Sequence, residues 1–281
     1  MWWLGVLFLA AIAWGLTSAS RLLYPVPRTL TTSEATTRWT ETMLRAPDGE
    51  DLPVWRLPVD RPHGRILLCH GYFANRFQVL GIANRLQQRG FEPVIMELRG
   101  HGVRPGPCGL GSREGEDACI VLKWMQQECR PAVPLGVLGF SMGATVVCQA
   151  AHRTPEVKAV VADSAYARLF PVLCLGLKQE YRLPGPVFGW ITWWAVQAWL
   201  RRRLSAVDPA RLAPAMRQPL LSIHGGADRR VPPPLGQAVY DRWAGPKERW
   251  EDPDAVHVGI FARDPARYAD RVAEFFRARM V

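Results

Sequence analysis

The sequence predicts an α/β fold, a mostly parallel sheet with helices on both faces. Three observations predict it. Short apolar runs at residues 65–70, 93–98, 134–140, 157–162 and 219–224 alternate with stretches of helical periodicity. Those runs are nearly continuous in apolar character, as strands buried on both faces are, and do not alternate apolar with polar. The 281 residues are 48% hydrophobic and 21% charged, which excludes a disordered chain. Once a short N-terminal segment is set aside, that length suits one core of about 230 residues.

In chain order, residues 2–20 hold no charged side chain, and the first charge is Arg21. As a helix they would extend about 28 Å, roughly the hydrocarbon thickness of a bilayer. Residues 1–21 are therefore expected to be a transmembrane anchor or a signal sequence. The stretch before the apolar run has no Lys or Arg, which favours an uncleaved single-pass anchor over a signal peptide leading to a secreted or periplasmic protein. Arg21, Arg28 and Arg38 follow it and would hold the domain on the cytoplasmic side.

The main domain is expected over residues 35–281. Residues 36–44 and 52–57 flank Pro47-Asp48-Gly49 and read as a β-hairpin, since Asp-Gly favours a tight turn. Helices are expected at 74–88, stopped by Gly90, and at 114–128, with acids in its first turn complementing the helix dipole. Others are expected at 142–152, 235–243 and 265–279, with a short strand at 247–251. Residues 166–210 break the rhythm. There, 187–200 is almost wholly apolar, contains Trp190, Trp193, Trp194 and Trp199, and is followed by Arg201-Arg202-Arg203. It is too short to span a bilayer and apolar all round, so it is expected to be a buried or interfacial helical cap.

The net charge is +10, mostly from Arg, with only four lysines. No aromatic-interleaved basic motif accompanies it, so no nucleic-acid partner is expected. The six cysteines stand at 69, 108, 119, 129, 148 and 174 with no C-x-x-C pair, which argues against zinc or dithiol redox chemistry. No metal is called for.

Gly139-Phe140-Ser141-Met142-Gly143 is a G-x-S-x-G motif between an expected strand and an expected helix. A sharp turn there would lift the serine hydroxyl above the sheet, with glycines where neighbouring chain passes close. The helix would aim its free N–H groups at the site.

From this motif outward, the chain resembles the α/β-hydrolase superfamily, in particular its serine-aminopeptidase and monoacylglycerol-lipase-like branch, over roughly residues 50–281. His70-Gly71-Tyr72 is similar to its oxyanion loop, and Leu98-Arg99-Gly100-His101-Gly102 to its R-G-H-G turn. Gly111, Glu114 and Asp117 keep its G-x-x-E-x-x-D spacing, and Asp163-Ser164 follows the next strand as in that family. His224-Gly225-Gly226-Ala227-Asp228, then Val231-Pro232, is similar to its acid loop. Two positions depart from the pattern. Val256 stands where the family often has Gly before the histidine, and Glu97 where it more often has Asp.

A serine hydroxyl needs a base to act as a nucleophile. In this fold the partners follow in the order serine, acid, histidine. That order selects Ser141, Asp228 and His257. His101 is the rival base and Asp163 the rival acid. The resemblance implies that the backbone N–H groups of Tyr72 and Met142 meet the oxyanion and that no cofactor takes part. Ester hydrolysis through an acyl-enzyme is the expected activity, on a small-molecule or lipid-like ester. Trp193 and Trp194 are candidates to line an acyl site. Acyl transfer and peptide hydrolysis would use the same three residues. A non-catalytic lipid-binding protein on the same scaffold is the reading from another class.

Overall fold

The computed structural model describes residues 2–26, 38–129 and 132–280. Arg28 and the first residues of the expected hairpin, Thr36 and Thr37, lie outside them.

Eight strands form one sheet in the order β1-β2-β4-β3-β5-β6-β7-β8. They are β1 (Thr40–Arg45), β2 (Asp51–Arg56), β3 (Arg65–Cys69), β4 (Glu92–Met96), β5 (Leu135–Phe140), β6 (Val157–Asp163), β7 (Leu220–Gly225) and β8 (Lys247–Asp252). The β1–β2 hairpin lies antiparallel at one edge, and β4, β3, β5, β6, β7 and β8 run parallel. This is the α/β-hydrolase fold.

The parallel strands need helices on both faces. Side chains alternate across each strand. Leu67, Cys69, Leu135 and Val137 join one buried cluster, while Ile66, Leu68, Leu138 and Phe140 join the other. The first is covered by α3 (Glu114–Gln127) and α4 (Met142–Arg153). The second is covered by α2 (Phe77–Gln88) and α10 (Pro265–Arg279), with the short α9 (Gly259–Arg263) beside it. Helix α2 starts three residues later than its periodicity suggests. Asn75 accepts the Phe77 N–H at 3.1 Å and so ends the preceding loop.

Between β6 and β7 the chain leaves the sheet. It forms α5 (Leu169–Tyr181), α6 (Gly185–Leu200), a 3-10 turn at Leu204–Val207, the one-turn helix α7 (Pro209–Leu212) and a second 3-10 turn at Ala213–Ala215. Helix α8 (Pro233–Arg242) then separates β7 from β8. The apolar 187–200 segment is thus a helix with two unlike faces: Trp193 and Val196 are buried, and Val187, Trp190 and Trp194 are exposed.

The N-terminal helix α1 (Trp2–Leu23) is, among the described residues, the one helix long and apolar enough to cross a membrane. Its first half is exposed, while Gly15, Ser18, Ala19 and Leu23 are buried. All six cysteines are free thiols.

Two ion clusters tie the sheet edge together. Glu92 begins β4 fully buried. Burial pushes its carboxyl up, but Arg56 at 2.8 Å and the buried Arg65 outweigh that and hold it below the usual glutamate range. The unfolded chain therefore takes up this proton first. The cluster's contribution is complete above about pH 5 and is lost as pH falls through the folded-state value. The urea midpoint should fall from pH 5 to pH 3, and Glu92→Gln should flatten that slope. An unchanged slope in Glu92→Gln would show that this cluster does not link stability to pH. The second cluster centres on Arg99. It reaches Asp117 in α3 through two bonds of 2.7 and 2.8 Å, and Asp48 and Glu50 in the hairpin turn at 2.6 and 2.8 Å.

Candidate active site

The strand order reverses at β3, whose neighbours β4 and β5 lie on opposite sides. Ligand crevices in such sheets form beyond the carboxyl ends of the strands at this reversal. The loops after β3 and β5 meet there, and they carry Tyr72 and Ser141.

Ser141 sits between β5 and α4 at φ 53° and ψ −114°, a conformation in the left-handed half of backbone space that a side chain rarely adopts. Its surroundings hold it there. The Ser141 N–H donates to the Asp163 carbonyl at 2.8 Å, and its own carbonyl accepts from Ala144 N–H at 2.9 Å. The flanking glycines are required by close approach. A Cβ on Gly139 would lie 2.2 Å from the Gly143 carbonyl oxygen, and one on Gly143 would lie 2.2 Å from that of Cys69. No side chain fits at either position.

His257 follows β8. Its Nε2 is 2.9 Å from Ser141 Oγ, and its Nδ1 is 2.7 Å from Asp228 Oδ2. The Asp228 carboxylate is fully buried and follows β7. Its Oδ1 accepts the N–H groups of Arg230 and Val231, each at 2.9 Å. Three residues separated by as many as 116 positions therefore form one hydrogen-bonded line. Nδ1–H donates to a carboxylate that only accepts, so Nε2 is left bare to take the serine proton.

Tyr72 and Met142 border the same cavity as Ser141. Met142 opens α4, where first-turn N–H groups have no intrahelical acceptor. Tyr72 is held from several sides. Its hydroxyl donates to the Leu22 carbonyl at 2.7 Å, and its ring packs edge-on against His101, centroids 5.5 Å apart. His101 is not brought to Ser141. Its Nε2 accepts the Phe73 N–H at 3.3 Å, and its Nδ1 donates to the Arg99 carbonyl at 2.7 Å. Burial lowers its pKa to about 4, so it stays neutral and steadies the turn after Tyr72.

Asp163 is likewise outside the line. Its carboxyl accepts from Ser164 Oγ and from the Tyr268 hydroxyl, each at 2.9 Å, and burial pushes it up to about 6. Ser164 Oγ in turn accepts the Val258 N–H at 3.1 Å. Val258 sits at φ 54°, a strained position for a β-branched residue, so this bond helps fix the loop next to His257. Val258 is not legible as a site residue, because its only signal is this one hydrogen bond between segments far apart in the chain, and Ser164 is marked in the sequence only by the Asp163-Ser164 match. The departure at Val256 is accommodated. Its φ is not positive and its side chain is 61% exposed, so the position before His257 needs no glycine. Glu97 reaches His70 at 2.9 Å and accepts the Arg76 N–H at 3.0 Å.

The model of the hydrolase family described as serine aminopeptidase, S33, matches residues 60–213, more than half of the chain. This chain belongs to the serine aminopeptidase S33 family of hydrolases. The match runs from before β3 to just beyond α7, and so contains Tyr72, Ser141 and the helices between β6 and β7. Among its relatives, the hydrolase is 25% identical over 221 residues to YqkD, an uncharacterized protein of Bacillus subtilis, covering 78% of this chain and 72% of that one. It is 28% identical over 243 residues to an uncharacterized 31.7 kDa protein of Escherichia coli, covering 71% and 85%. Among solved structures, an esterase from Pyrococcus furiosus superposes with a TM-score of 0.75 at 23% identity, over 91% of this chain and 98% of that one. An esterase domain from Rhodothermus marinus gives 0.65 at 21%, over 87% and 100%. At these identities the superpositions speak for a shared fold.

Ser141 and His257 open onto a cavity of about 640 Å³. Leu22, Leu169, Leu173, Trp193, Val196 and Leu204 contribute its apolar lining. Trp194, paired with Trp193 in the sequence, faces away.

Proposed function

We propose that this hydrolase cleaves carboxylic esters of apolar acyl groups through an acyl-enzyme formed on Ser141. The observation that carries the reading is the hydrogen-bonded line from Ser141 through His257 to Asp228, opening onto a mostly apolar cavity of about 640 Å³. That volume is in the range of small-molecule sites.

In the first half-reaction His257 Nε2 takes the Ser141 proton as Oγ attacks the ester carbonyl. Asp228 steadies the imidazolium, and the Tyr72 and Met142 N–H groups meet the oxygen that gains charge. Each such donor contributes about 3 kcal/mol in comparable sites. Collapse expels the alcohol, protonated by His257. Water then repeats the sequence and releases the acid.

The protein is also proposed to stay attached to a membrane through α1. Ser18, Ala19 and Leu23 of that helix are buried against the rest of the molecule, which favours a retained helix over a cleaved signal. Arg21 at its end favours a cytoplasmic domain.

The test uses the full chain in mild detergent with a fluorophosphonate probe and p-nitrophenyl esters. Wild type should label and hydrolyse. Ser141→Ala should lose both. His257→Ala should lose at least about a hundredfold in rate, the lower range for a missing general base. A folded wild type that neither labels nor hydrolyses would overturn the ester-hydrolase reading and favour a lipid-binding protein. Faster cleavage of aminoacyl amides than of esters would favour a peptidase.

A further inference from the structure

Helix α1 lies along α6 and is not an isolated tether. Gly15 admits the close approach: a Cβ there would stand 3.3 Å from both the Ala195 Cβ and the Ile191 Cγ2. One turn on, Ser18 Oγ and Thr192 Oγ1 are 2.9 Å apart in a buried hydrogen bond. Trp14 packs edge-on against Phe188, centroids 5.1 Å apart, and against Tyr181 at 5.9 Å. Small residues and a hydroxyl pair are the means by which helices associate where water does not drive them together.

The end of α1 is bonded into the catalytic domain. A helix leaves its last carbonyls without partners. Here the Leu22 carbonyl accepts the Tyr72 hydroxyl at 2.7 Å, and the Leu23 carbonyl accepts the Cys108 N–H at 2.6 Å. Ser18, Arg21 and Leu22 border the same cavity as Ser141 and His257. The apolar N-terminal helix thus supplies one side of the pocket, and its backbone holds the loop that carries an oxyanion donor.

We propose that the last two turns of α1 are a substrate-contacting wall of the acyl pocket, with Leu22 limiting the length of acyl chain accepted, and that the α1–α6 pair sets this wall at the bilayer so that the chain enters from lipid. This rests on the ester-hydrolase reading of the site. The placement follows from length and exposure. The free residues 2–12 rise about 17 Å, roughly half of the ~30 Å hydrocarbon layer. Deeper immersion therefore brings the α6 side of the pair to the lipid. Along α6, which packs against α1, Val187, Trp190 and Trp194 are 60%, 51% and 65% exposed at helical spacing and form an apolar face. Arg201 and Arg203 follow at the C-terminal end of α6, both exposed, and suit anionic head groups.

The test measures kcat/KM of the full-length protein in lipid nanodiscs on p-nitrophenyl esters from acetate to laurate, for wild type, Leu22→Trp and Leu22→Ala. The added ring should lower the laurate-to-acetate ratio at least about tenfold, the discrimination a few methylenes provide in an apolar pocket. Leu22→Ala should raise the ratio or move its maximum to longer chains. Ratios parallel to wild type in both variants, with labelling of Ser141 retained, would overturn the wall while leaving the ester-hydrolase reading intact. A wild type that hydrolyses none of the esters would overturn that reading and the wall with it.

Discussion

On the proposed mechanism, replacing Asp228 by Asn should lower kcat about ten-thousandfold, the loss the same change produces in a Ser-His-Asp protease. The local bonds say why the loss should be so large here. Asp228 Oδ1 accepts the Arg230 and Val231 N–H groups, and Oδ2 faces His257 Nδ1. An Asn side chain has one oxygen. Keeping the two loop bonds sends that oxygen to Arg230 and Val231 and turns the NH2 group toward His257. Nδ1 must then accept, the proton moves to Nε2, and the atom facing Ser141 Oγ no longer takes a proton. The loop bonds survive, so the melting temperature should stay near that of wild type. Steady-state hydrolysis of a p-nitrophenyl ester, beside a thermal melt, checks both parts. A kcat within tenfold of wild type would mean that Asp228 does not set the tautomer of His257.

Replacing Arg99 by Ala should destabilise the fold by about 3 kcal/mol, at the lower end of the cost of leaving a buried charge without its partner. The Arg99 side chain is almost wholly buried. It joins the hairpin turn, through Asp48 and Glu50, to the fully buried Asp117 in α3. Asp117 keeps Arg104 at 2.7 Å, which is why the lower figure is expected. In a domain of this size that loss corresponds to a fall of roughly 6–12 °C in melting temperature. Asp48, which these bonds hold at about 2, should return toward its ordinary value in the variant. The double substitution Arg99→Met with Asp117→Leu should not recover the loss, since it leaves the buried Arg104 without its carboxylate partner. Denaturant unfolding of wild type and the two variants checks both expectations. A loss below about 1 kcal/mol for Arg99→Ala would show that the cluster is not a structural tie.

Much of the fold is readable from local pattern. The buried strands are apolar along most of their length because helices cover both faces, and the helices between them show their period and their stops. The elbow glycines are legible for a steric reason, since chain at 2.2 Å from a would-be Cβ tolerates nothing else. The placing of Asp228 and His257 at strand ends follows from chain order. These features depend on neighbours in sequence, or on a turn whose geometry its own residues dictate. The support around them does not. Ser164 holding Val258, His101 holding Phe73 and Tyr268 holding Asp163 are contacts between segments far apart in the chain. Each is a single hydrogen bond that leaves no periodic trace.

The same division applies to α1 and α6. By itself, the sequence determined that residues 2–20 form an uncharged apolar stretch and that 187–200 is rich in tryptophan, because hydrophobicity and helical length are properties of a segment alone. Only the tertiary structure decided that the two segments pack together, that Trp193 turns inward while Trp194 turns out, and that Leu22 and Ser141 line one cavity. Which face of an all-apolar helix is buried depends on the shape of what it meets, here Thr192 and Ala195 against Ser18 and Gly15, and shape complementarity exists only once both partners are in place.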